Sequence, residues 1–285
     1  MPTDPLHQLR RLSSPARPNP RFAISLWRRI EEELGMTVTS ASTDIVREAT
    51  QVGIIHVRVA DADRAAAFFG ALLDWDTSRA VDDRRTAHYV TNTSLLTVLT
   101  DDSTAPAVRL FFPFDDTAGA VADLERLGGA VDESDINGRD GWAFVHDDQG
   151  LAFGVWRRND RYAREHAGDQ RRPLGEVGYM TLHVPDAGAA MAFYGSLLGW
   201  RFQDPRGADY HHVEGSSPSV GLYGGHDEPR VEWYVRVDDV RALVPRVAEL
   251  GGQAGAVTES PSGLSATCTD DQGMTVRLWQ PAPGY

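Results

Sequence analysis

The chain has 285 residues, 41% of them hydrophobic and 24% charged, a composition typical of two soluble globular domains. The formal net charge of −13 argues against nucleic acid and against an anionic membrane surface as partners. Cys268 is the single cysteine, which excludes an internal disulfide, and no apolar run reaches the roughly 18 residues of a membrane span. No signal-peptide core follows Met1, so we expect a cytoplasmic protein.

Residues 1–48 form an extension that differs from the rest of the chain. Four prolines keep its beginning irregular. Apolar residues then recur at every fourth position, which predicts an amphipathic helix over residues 22–34 with Gly35 after it. We expect this helix to dock on the protein's own body, and a dimer arm is the alternative.

Two stretches share one pattern, residues 52–75 (VGIIHVRVADADRAAAFFGALLDW) and residues 177–200 (VGYMTLHVPDAGAAMAFYGSLLGW). Each begins with the alternation of a strand, continues through an aspartate able to cap a helix, and ends in apolar residues at helical spacing. The capping candidates Asp61 and Asp186 lie 125 residues apart. A repeat of this length indicates a duplicated domain, because solenoid periods are about 20–50 residues.

The rest of each copy follows one plan. Strand-like segments lead to an acidic pair that begins a second helix, a glycine pair that ends it, and a DDQG turn beside a further strand. These later landmarks lie 123 residues apart. We predict a first module over residues 49–158, a charged linker over 159–174 and a second module over 175–285. Pro245, inside the last predicted helix, should kink or delay that helix.

The strand–Asp–helix opening that ends in AFYGSLLGW resembles the vicinal-oxygen-chelate superfamily, which includes glyoxalase I, bleomycin-resistance proteins and extradiol dioxygenases. The VDDV…LGG segment at 237–252 and the DDQG turn with its strand at 270–279 are similar to the second half of that fold. The resemblance covers about residues 52–280. It implies an α+β fold of two tandem modules, each made of paired βαβββ units that curve into a cup.

The resemblance also locates the three metal-ligand positions of the family. They are a histidine seven residues before the first capping aspartate, a histidine at the start of the strand before the second helix, and a glutamate four residues after the glycine of the last turn. In this sequence they are Ile54, Arg109 and Gly154 in the first module, and Tyr179, Glu232 and Arg277 in the second. Of these six residues, only Glu232 has a side chain of the kind that binds metal ions in this family. An arginine keeps its proton and therefore repels a divalent ion. We therefore expect no metal and no cofactor.

A shifted metal site is the alternative, and it would make the protein a metal-dependent dioxygenase or lyase. Its ligands would be His56, His88 and His146 in the first module, or His211 or His212 with Glu232 in the second. Three ligands must meet at about 2.0–2.2 Å from the ion, and the spacing of these residues does not require it.

Without a metal, the resemblance gives the second cup a charged and aromatic lining, in which we expect Glu232 and Arg277 to pair. The lining of the first cup is more apolar, with a single arginine. The predicted ligand-binding residues are Tyr179, Thr181, His212, Tyr223, Glu232, Tyr234, Arg277 and Trp279 in the second module, and His56, Arg109 and Trp156 in the first. Aromatic rings in a cleft stack on flat ligands. We therefore predict a metal-free protein that binds a flat, aromatic small molecule; a buried pair that merely fills a vestigial cup is the structural alternative.

Two further functions stay open at this point. A metal-independent isomerase, cyclase or lyase would use Glu232 or His56 as general base, Tyr179 as acid and Arg277 to hold a developing oxyanion. A purely structural duplicate would use the helix over residues 22–34 as its contact. We expect a small molecule as the partner and a monomer or homodimer.

Overall fold

A computed structural model describes residues 51–81, 86–102, 106–137, 141–158, 174–205 and 209–285. The predicted extension 1–48 with its helix 22–34 lies outside these ranges, as does the predicted linker 159–174 apart from its last residue. Each helix within the described ranges is too short or too polar to cross a lipid bilayer.

The first module contributes eight strands and two helices. They are β1 (Ile54–Val59), α1 (Ala62–Leu73), β2 (Thr77–Val81), β3 (Thr86–Val90), β4 (Leu96–Asp101), β5 (Ala107–Phe114), α2 (Thr117–Arg126), β6 (Ala130–Asp135), β7 (Trp142–His146) and β8 (Ala152–Arg157). The strands form one sheet in the order β2-β3-β4-β1-β5-β8-β7-β6. Two βαβββ units therefore join edge to edge, where β1 pairs antiparallel with β5.

The second module repeats this plan. Its elements are β9 (Val177–His183), α3 (Ala187–Leu198), β10 (Tyr210–His212), β11 (Ser219–Tyr223), β12 (Arg230–Arg236), α4 (Val240–Glu249), β13 (Gln253–Ala254), β14 (Thr258–Ser260), β15 (Gly263–Thr269) and β16 (Thr275–Pro281). The sheet order is β10-β11-β9-β12-β16-β15-β13, with β14 paired to β15. The predicted α+β fold of two tandem modules is confirmed.

The first helix of each module begins at the predicted aspartate. The carboxylate of Asp61 accepts a hydrogen bond of 3.0 Å from the backbone N–H of Arg64, and Asp186 accepts one of the same length from Ala189. Each bond satisfies an N–H group that has no partner within the helix. Helix α3 ends at Gly199, whose φ of 70° is the left-handed conformation that glycine adopts without strain.

The second helix of the second module corrects one expectation. Helix α4 begins at Val240 and continues through Pro245, so the proline does not delay it. Asp239 fixes the start, because its carboxylate accepts from the backbone N–H groups of Arg241 and Ala242 at 2.9 and 3.1 Å. The sequence analysis also missed β2, β6, β13, β14 and β15, which lie at or near sheet edges and show little apolar–polar alternation.

The two modules share one hydrophobic core. Phe69 of helix α1 and the nearby Trp75 pack on Trp233 of the second sheet, with ring centroids 5.9 and 6.1 Å apart. Reciprocally, Trp200 after helix α3 packs 5.6 Å from Phe112 of the first sheet. Each opening helix unit thus covers a strand of the other module, as expected for a duplicated domain packed about an approximate two-fold axis.

Hydrogen bonds repeat this reciprocity. The side chain of Gln272 bonds both backbone groups of Asp61, at 2.7 and 3.0 Å. The side chain of Gln149 bonds both backbone groups of Asp186 at the same two distances. The DDQG turn of each module therefore holds the beginning of the first helix of the other module.

Alternation along β9 separates the two faces of the second sheet. Met180 and Leu182 belong to the shared core, whereas Tyr179 and His183 belong to the opposite face. Cys268, on β15, is buried, and burial raises the pKa of its thiol to about 11, which leaves the thiol unreactive at neutral pH. The face that carries Tyr179 is the part of the module that can meet a ligand.

Candidate functional site

Three side chains stand next to one another across the centre of this face. Strand pairing puts Tyr179 beside Tyr234, and Tyr234 beside Arg277. Glu232 pairs instead with Thr181, two residues along each strand from the Tyr234–Tyr179 pair. The resemblance groups Glu232 with Tyr179 and Arg277, but in the strand register Tyr234, two residues further on, lies between those two residues. A shift of two residues keeps a side chain on the same face, so the face was predictable although the register was not.

The side chain of Glu232 nevertheless reaches this row. It accepts a hydrogen bond of 2.7 Å from Nη2 of Arg277 at one oxygen and one of 2.9 Å from the Tyr234 hydroxyl at the other. Nε2 of His183 lies 3.5 Å from the second oxygen. The Arg277 guanidinium also lies 5.0 Å from the centre of the Tyr234 ring. The predicted pairing of Glu232 with Arg277 is therefore present, with the two side chains 17% and 29% exposed.

This environment keeps Glu232 ionised. Burial raises the pKa of its carboxyl, but the hydrogen bond from His183 and the charge of Arg277 outweigh burial, and the pKa falls to about 2. Burial and the charge of Glu232 raise the pKa of the Tyr234 hydroxyl well above its ordinary value. A carboxylate that holds its proton so weakly is a poor general base at neutral pH.

A second polar group adjoins the row. The Tyr179 hydroxyl lies 2.7 Å from the Tyr210 hydroxyl and 3.1 Å from Nδ1 of His212. Gly221 leaves the space that these groups use, because a Cβ there would lie 2.3 Å from the Tyr179 hydroxyl and 2.4 Å from that of Tyr210. The group can donate hydrogen bonds to a ligand oxygen or accept them from it.

A third group lies where β9 ends. The ring of His226 stands 4.5 Å from the rings of both His183 and Tyr223. The sequence analysis missed Tyr210, His183 and His226 as site residues. His183 follows Tyr179 by four residues and so shares its strand face, a signal that could have identified it. His226 lies in a loop after β11, where no periodicity applies.

We refer to the face formed by these three groups as the second-module hollow. Its residues are Tyr179, Thr181, His183, Tyr210, His212, Gly221, Tyr223, His226, Glu232, Tyr234 and Arg277. It contains seven of the eight second-module residues predicted to bind a ligand. The exception is Trp279, which donates a hydrogen bond of 3.0 Å to the carbonyl of Ser262 and lies 5.5 Å under the Arg236 guanidinium.

The corresponding face of the first module is filled by its own rings. Phe111 stands at the place of Tyr234, and a Cβ on Gly154 would come within 2.2 Å of the Phe111 ring. Phe144 packs 5.4 Å from Phe111, and the His56 ring lies 5.8 Å from each of them. Aromatic packing therefore occupies the place where the second module holds Arg277.

The other two predicted first-module residues border the same cluster. The guanidinium of Arg109 lies 5.0 Å from the centre of the Phe144 ring. Trp156 pairs in register with Trp142, whose ring packs 5.0 Å from Phe144. The structure thus brings His56, Arg109 and Trp156 around a packed cluster rather than around an open hollow.

In the second module, small side chains occupy the strand positions that hold Phe144 and Trp142 in the first module. Thr267 pairs with Arg277 as Phe144 pairs with Gly154 in the first module. Ser265 likewise replaces Trp142, two residues earlier on the strand. Two large rings of the first module are thereby exchanged for two small hydroxyl side chains in the second.

The family's metal-ligand positions do not fit a divalent ion in either module. Ile54 and Gly154 offer no ligand atom in the first module. In the second, Glu232 is the one carboxylate, and the Arg277 guanidinium already binds it at 2.7 Å. Among the described residues, no three His, Cys, Asp or Glu side chains form a group that could hold a metal ion.

The shifted ligand set does not converge either. Nε2 of His88 lies 2.7 Å from the carboxylate of Asp63, and Nδ1 of His146 lies 3.0 Å from that of Asp132. His56 instead bonds the Thr100 hydroxyl at 2.7 Å. Each histidine therefore has its own neighbour on a different part of the first module.

A separate groove of about 490 Å³ lies between the modules. It is bordered by the end of helix α1, the beginning of helix α4 and residues 174–175. No residue of the second-module hollow lines it. The polar and charged residues that line the groove include Asp74, Asn92, Arg236, Asp238 and Asp239.

Comparison with known proteins gives a family match over most of the chain. The model of the glyoxalase-like domain matches residues 54–156 and again residues 179–279. A curated relative, the anthracycline biosynthesis protein DnrV of Streptomyces peucetius, is 30% identical over 197 residues, 65% of this chain and 70% of that protein. The putative glyoxylase CFP32 of Mycobacterium tuberculosis is 32% identical over 119 residues, 37% of this chain and 46% of its own length.

Solved structures show the same fold at low identity. The Mn(II)-bound glyoxalase from Novosphingobium aromaticivorans has a TM-score of 0.57 and 15% identity, with 81% of this chain and 83% of that chain covered. An extradiol ring-cleaving dioxygenase from B. fuscum has a TM-score of 0.58 and 17% identity, with coverage of 84% and 75%. At such identities the likeness concerns the fold alone.

Proposed function

This chain belongs to the glyoxalase-like domain family in both of its modules, and on that premise we propose that the second-module hollow binds a flat, oxygen-bearing aromatic small molecule without a metal ion. The observation that carries the proposal is the row Tyr179–Tyr234–Arg277, with Glu232 bound to Arg277. Tyr179 and Arg277 stand at two of the positions where the resemblance places metal ligands, and Tyr234 adds a second ring between them. Two aromatic rings and a guanidinium favour a planar ligand over an ion.

The polar groups of the hollow favour a ligand that carries oxygen atoms. Arg277 offers donors beyond the one that Glu232 uses, and the Tyr179–Tyr210–His212 group offers hydroxyls and an imidazole. Carbonyl and phenol oxygens on a planar ring match such groups. The name of the relative DnrV supports the same class, because it associates that protein with the biosynthesis of an aromatic product.

In this proposal the first module has a structural role and does not bind the ligand. Phe111, Phe144 and His56 fill its face. The alternative of a metal-independent enzyme requires a proton acceptor, and the low pKa of Glu232 disfavours that residue in the role. Binding without turnover is therefore the function that the geometry supports best.

Binding of a hydroxynaphthoquinone, with naphthalene as the apolar control, tests the proposal by calorimetry. We expect the quinone to bind wild type and to raise its melting temperature by mass action, with little effect from naphthalene. The informative variant combines Glu232→Gln with Arg277→Leu, which removes both charges so that neither is left buried alone. We expect it to bind the quinone at least ten times more weakly.

The matched control combines Arg58→Leu with Asp102→Asn. This pair is also partly buried, at 13% and 17% exposure, and lies in the first module. It should lower stability in a similar way while leaving the affinity unchanged. Equal losses of affinity in the two double variants would contradict the proposal, since they would reflect stability rather than the site.

A further inference from the structure

At one end of the second-module hollow, two histidines each have a buried ring nitrogen without a hydrogen-bond partner among the described residues. His183 is 6% exposed, and its Nδ1 has no hydrogen-bond partner among the described residues. Nε2 of His226 is also buried and unpartnered within the described ranges. The two rings lie perpendicular, with centroids 4.5 Å apart. Buried polar atoms in native proteins almost always have a partner, so two such atoms in one place indicate a missing binding partner.

His88, another buried histidine, does not share this property. His88, 7% exposed, places Nε2 at 2.7 Å from Asp63 and Nδ1 at 3.2 Å from the Thr77 hydroxyl. Both of its nitrogens are therefore used within the fold. The unpartnered nitrogens of His183 and His226 contrast with this arrangement, and both lie beside the ring of Tyr223, which is partly open to solvent.

The neighbour of His183 determines which nitrogen carries its proton. Nε2 faces the Glu232 carboxylate, which is ionised and can only accept. In the neutral form of the ring the proton therefore lies on Nε2, and Nδ1 is left as an acceptor. A group that satisfies Nδ1 has to donate a hydrogen bond. An ether or a carbonyl oxygen cannot do so, whereas a hydroxyl can.

We propose that His183 and His226 form a subsite that recognises a hydroxyl group of the aromatic ligand. The hydroxyl donates to Nδ1 of His183, and its oxygen accepts from the Nε2–H tautomer of His226, whose ring centroid lies 4.5 Å from that of His183. This inference rests on the proposed function and narrows it to a hydroxylated aromatic, with one oxygen near Arg277 and a hydroxyl at the His183 end of the hollow.

A pair of probes tests the subsite directly. A hydroxynaphthoquinone and its methyl ether have similar shape, but only the first can donate a hydrogen bond. We expect wild type to bind the hydroxyl compound at least ten times more tightly. His183→Phe and His226→Phe keep an aromatic ring and remove both nitrogens, and each should reduce that preference to less than about threefold.

Melting temperatures without ligand give a second readout. Because the two nitrogens have no hydrogen-bond partner in the part of the chain that the structure describes, His226→Phe should leave the melting temperature of the free protein unchanged or raise it. His88→Phe, the control, removes two hydrogen bonds and should lower it while keeping the hydroxyl preference. A marked loss of melting temperature in His226→Phe would overturn the subsite, because it would show that the imidazole is already bonded.

The remaining outcomes separate the subsite from the proposed function. If wild type binds both probes equally, or if the preference persists in both histidine variants, the subsite is wrong while ligand binding stands. If neither probe binds wild type, the proposed function fails and the subsite fails with it.

Discussion

The hydroxyl of Tyr194 donates a hydrogen bond of 2.9 Å to the carboxylate of Asp147, joining helix α3 to the turn of the first module. The equivalent pair in the other half of the repeat is Phe69, at the position of Tyr194, and Asp270, at the position of Asp147. Phenylalanine has no hydroxyl, so this pair lacks the hydrogen bond. Oδ2 of Asp270 is buried without a hydrogen-bond partner among the described residues. Burial raises the pKa of both carboxyls.

Phe69→Tyr is therefore expected to stabilise the protein. Its new hydroxyl would meet the unpartnered oxygen of Asp270, and one such bond contributes about 0.5–1.5 kcal/mol to the free energy of unfolding. The converse change, Tyr194→Phe, should cost about 1–3 kcal/mol because it leaves the Asp147 oxygen buried and unpaired. Urea denaturation of both variants checks this pair. Destabilisation by Phe69→Tyr would show that the core has no room for the hydroxyl.

Gln149 and Gln272 provide a second test of the reciprocal packing. Gln272→Ala removes two partly buried hydrogen bonds to Asp61, so we expect a loss of about 1–3 kcal/mol. Gln149→Ala removes two exposed bonds to Asp186, and its loss should be smaller. The two sites share no residue, so the losses in the double variant should add within about 0.5 kcal/mol. Equal losses of stability in the two single variants, or a loss in the double variant far from their sum, would contradict this description of the reciprocal packing.

The duplication and most elements of the fold were predictable because they depend on local signals. Aspartate caps and glycine stops fixed the helices closely, as for α2, which lies at Thr117–Arg126 between the acidic pair Asp115-Asp116 and the glycine pair Gly128-Gly129. The edge strands were not predictable. Strand β6 (AVDESD) exposes residues on both faces, and neighbouring strands rather than its own pattern hold it in place.

Glu232 should make stability depend on pH in acid. Its folded pKa of about 2 lies below the ordinary value of 4.5, so it stabilises the fold above about pH 4.5, and that contribution is lost as the pH falls through 2. The shift corresponds to at most about 3 kcal/mol. Glu232→Gln should be less stable at pH 7 and should lose less stability between pH 4.5 and 2. Denaturation curves across this range measure the difference, and parallel losses in the two proteins would rule out the ion pair as its source.

Metal affinity should return if the guanidinium is replaced. Tyr179→His with Arg277→Glu would put an imidazole and a second carboxylate beside Glu232, a ligand set that suits Zn²⁺ or Mn²⁺. We expect this double variant to bind one equivalent of metal, and Tyr179→His alone to bind none because Arg277 still repels the ion. Metal analysis after dialysis decides the matter. Stoichiometric metal in wild type would show that the residues of the second module do hold a divalent ion and would contradict a metal-free site.

The site was predictable in part, since residues on one strand face are separated by two positions. The resemblance gave Tyr179 and Arg277, and that rule added Thr181 and Tyr234. The sequence could not reveal that Phe111 covers Gly154 and fills the first module, because that depends on side-chain packing across strands. It also could not place His226, because a loop residue follows no periodicity.

Gly221→Ala tests the group of Tyr179, Tyr210 and His212 without removing any of its polar atoms. The added Cβ would lie 2.3 and 2.4 Å from the two tyrosine hydroxyls, so both rings have to move. We expect the free energy of unfolding to fall by about 1–3 kcal/mol. The affinity for the hydroxynaphthoquinone should fall as well, because the hydroxyls leave the positions from which they meet the ligand.

Tyr210→Phe is the companion variant, since it removes one hydroxyl and leaves the backbone unchanged. Loss of affinity in Gly221→Ala but not in Tyr210→Phe would assign the contact to Tyr179, and full affinity in both would remove this group from the site.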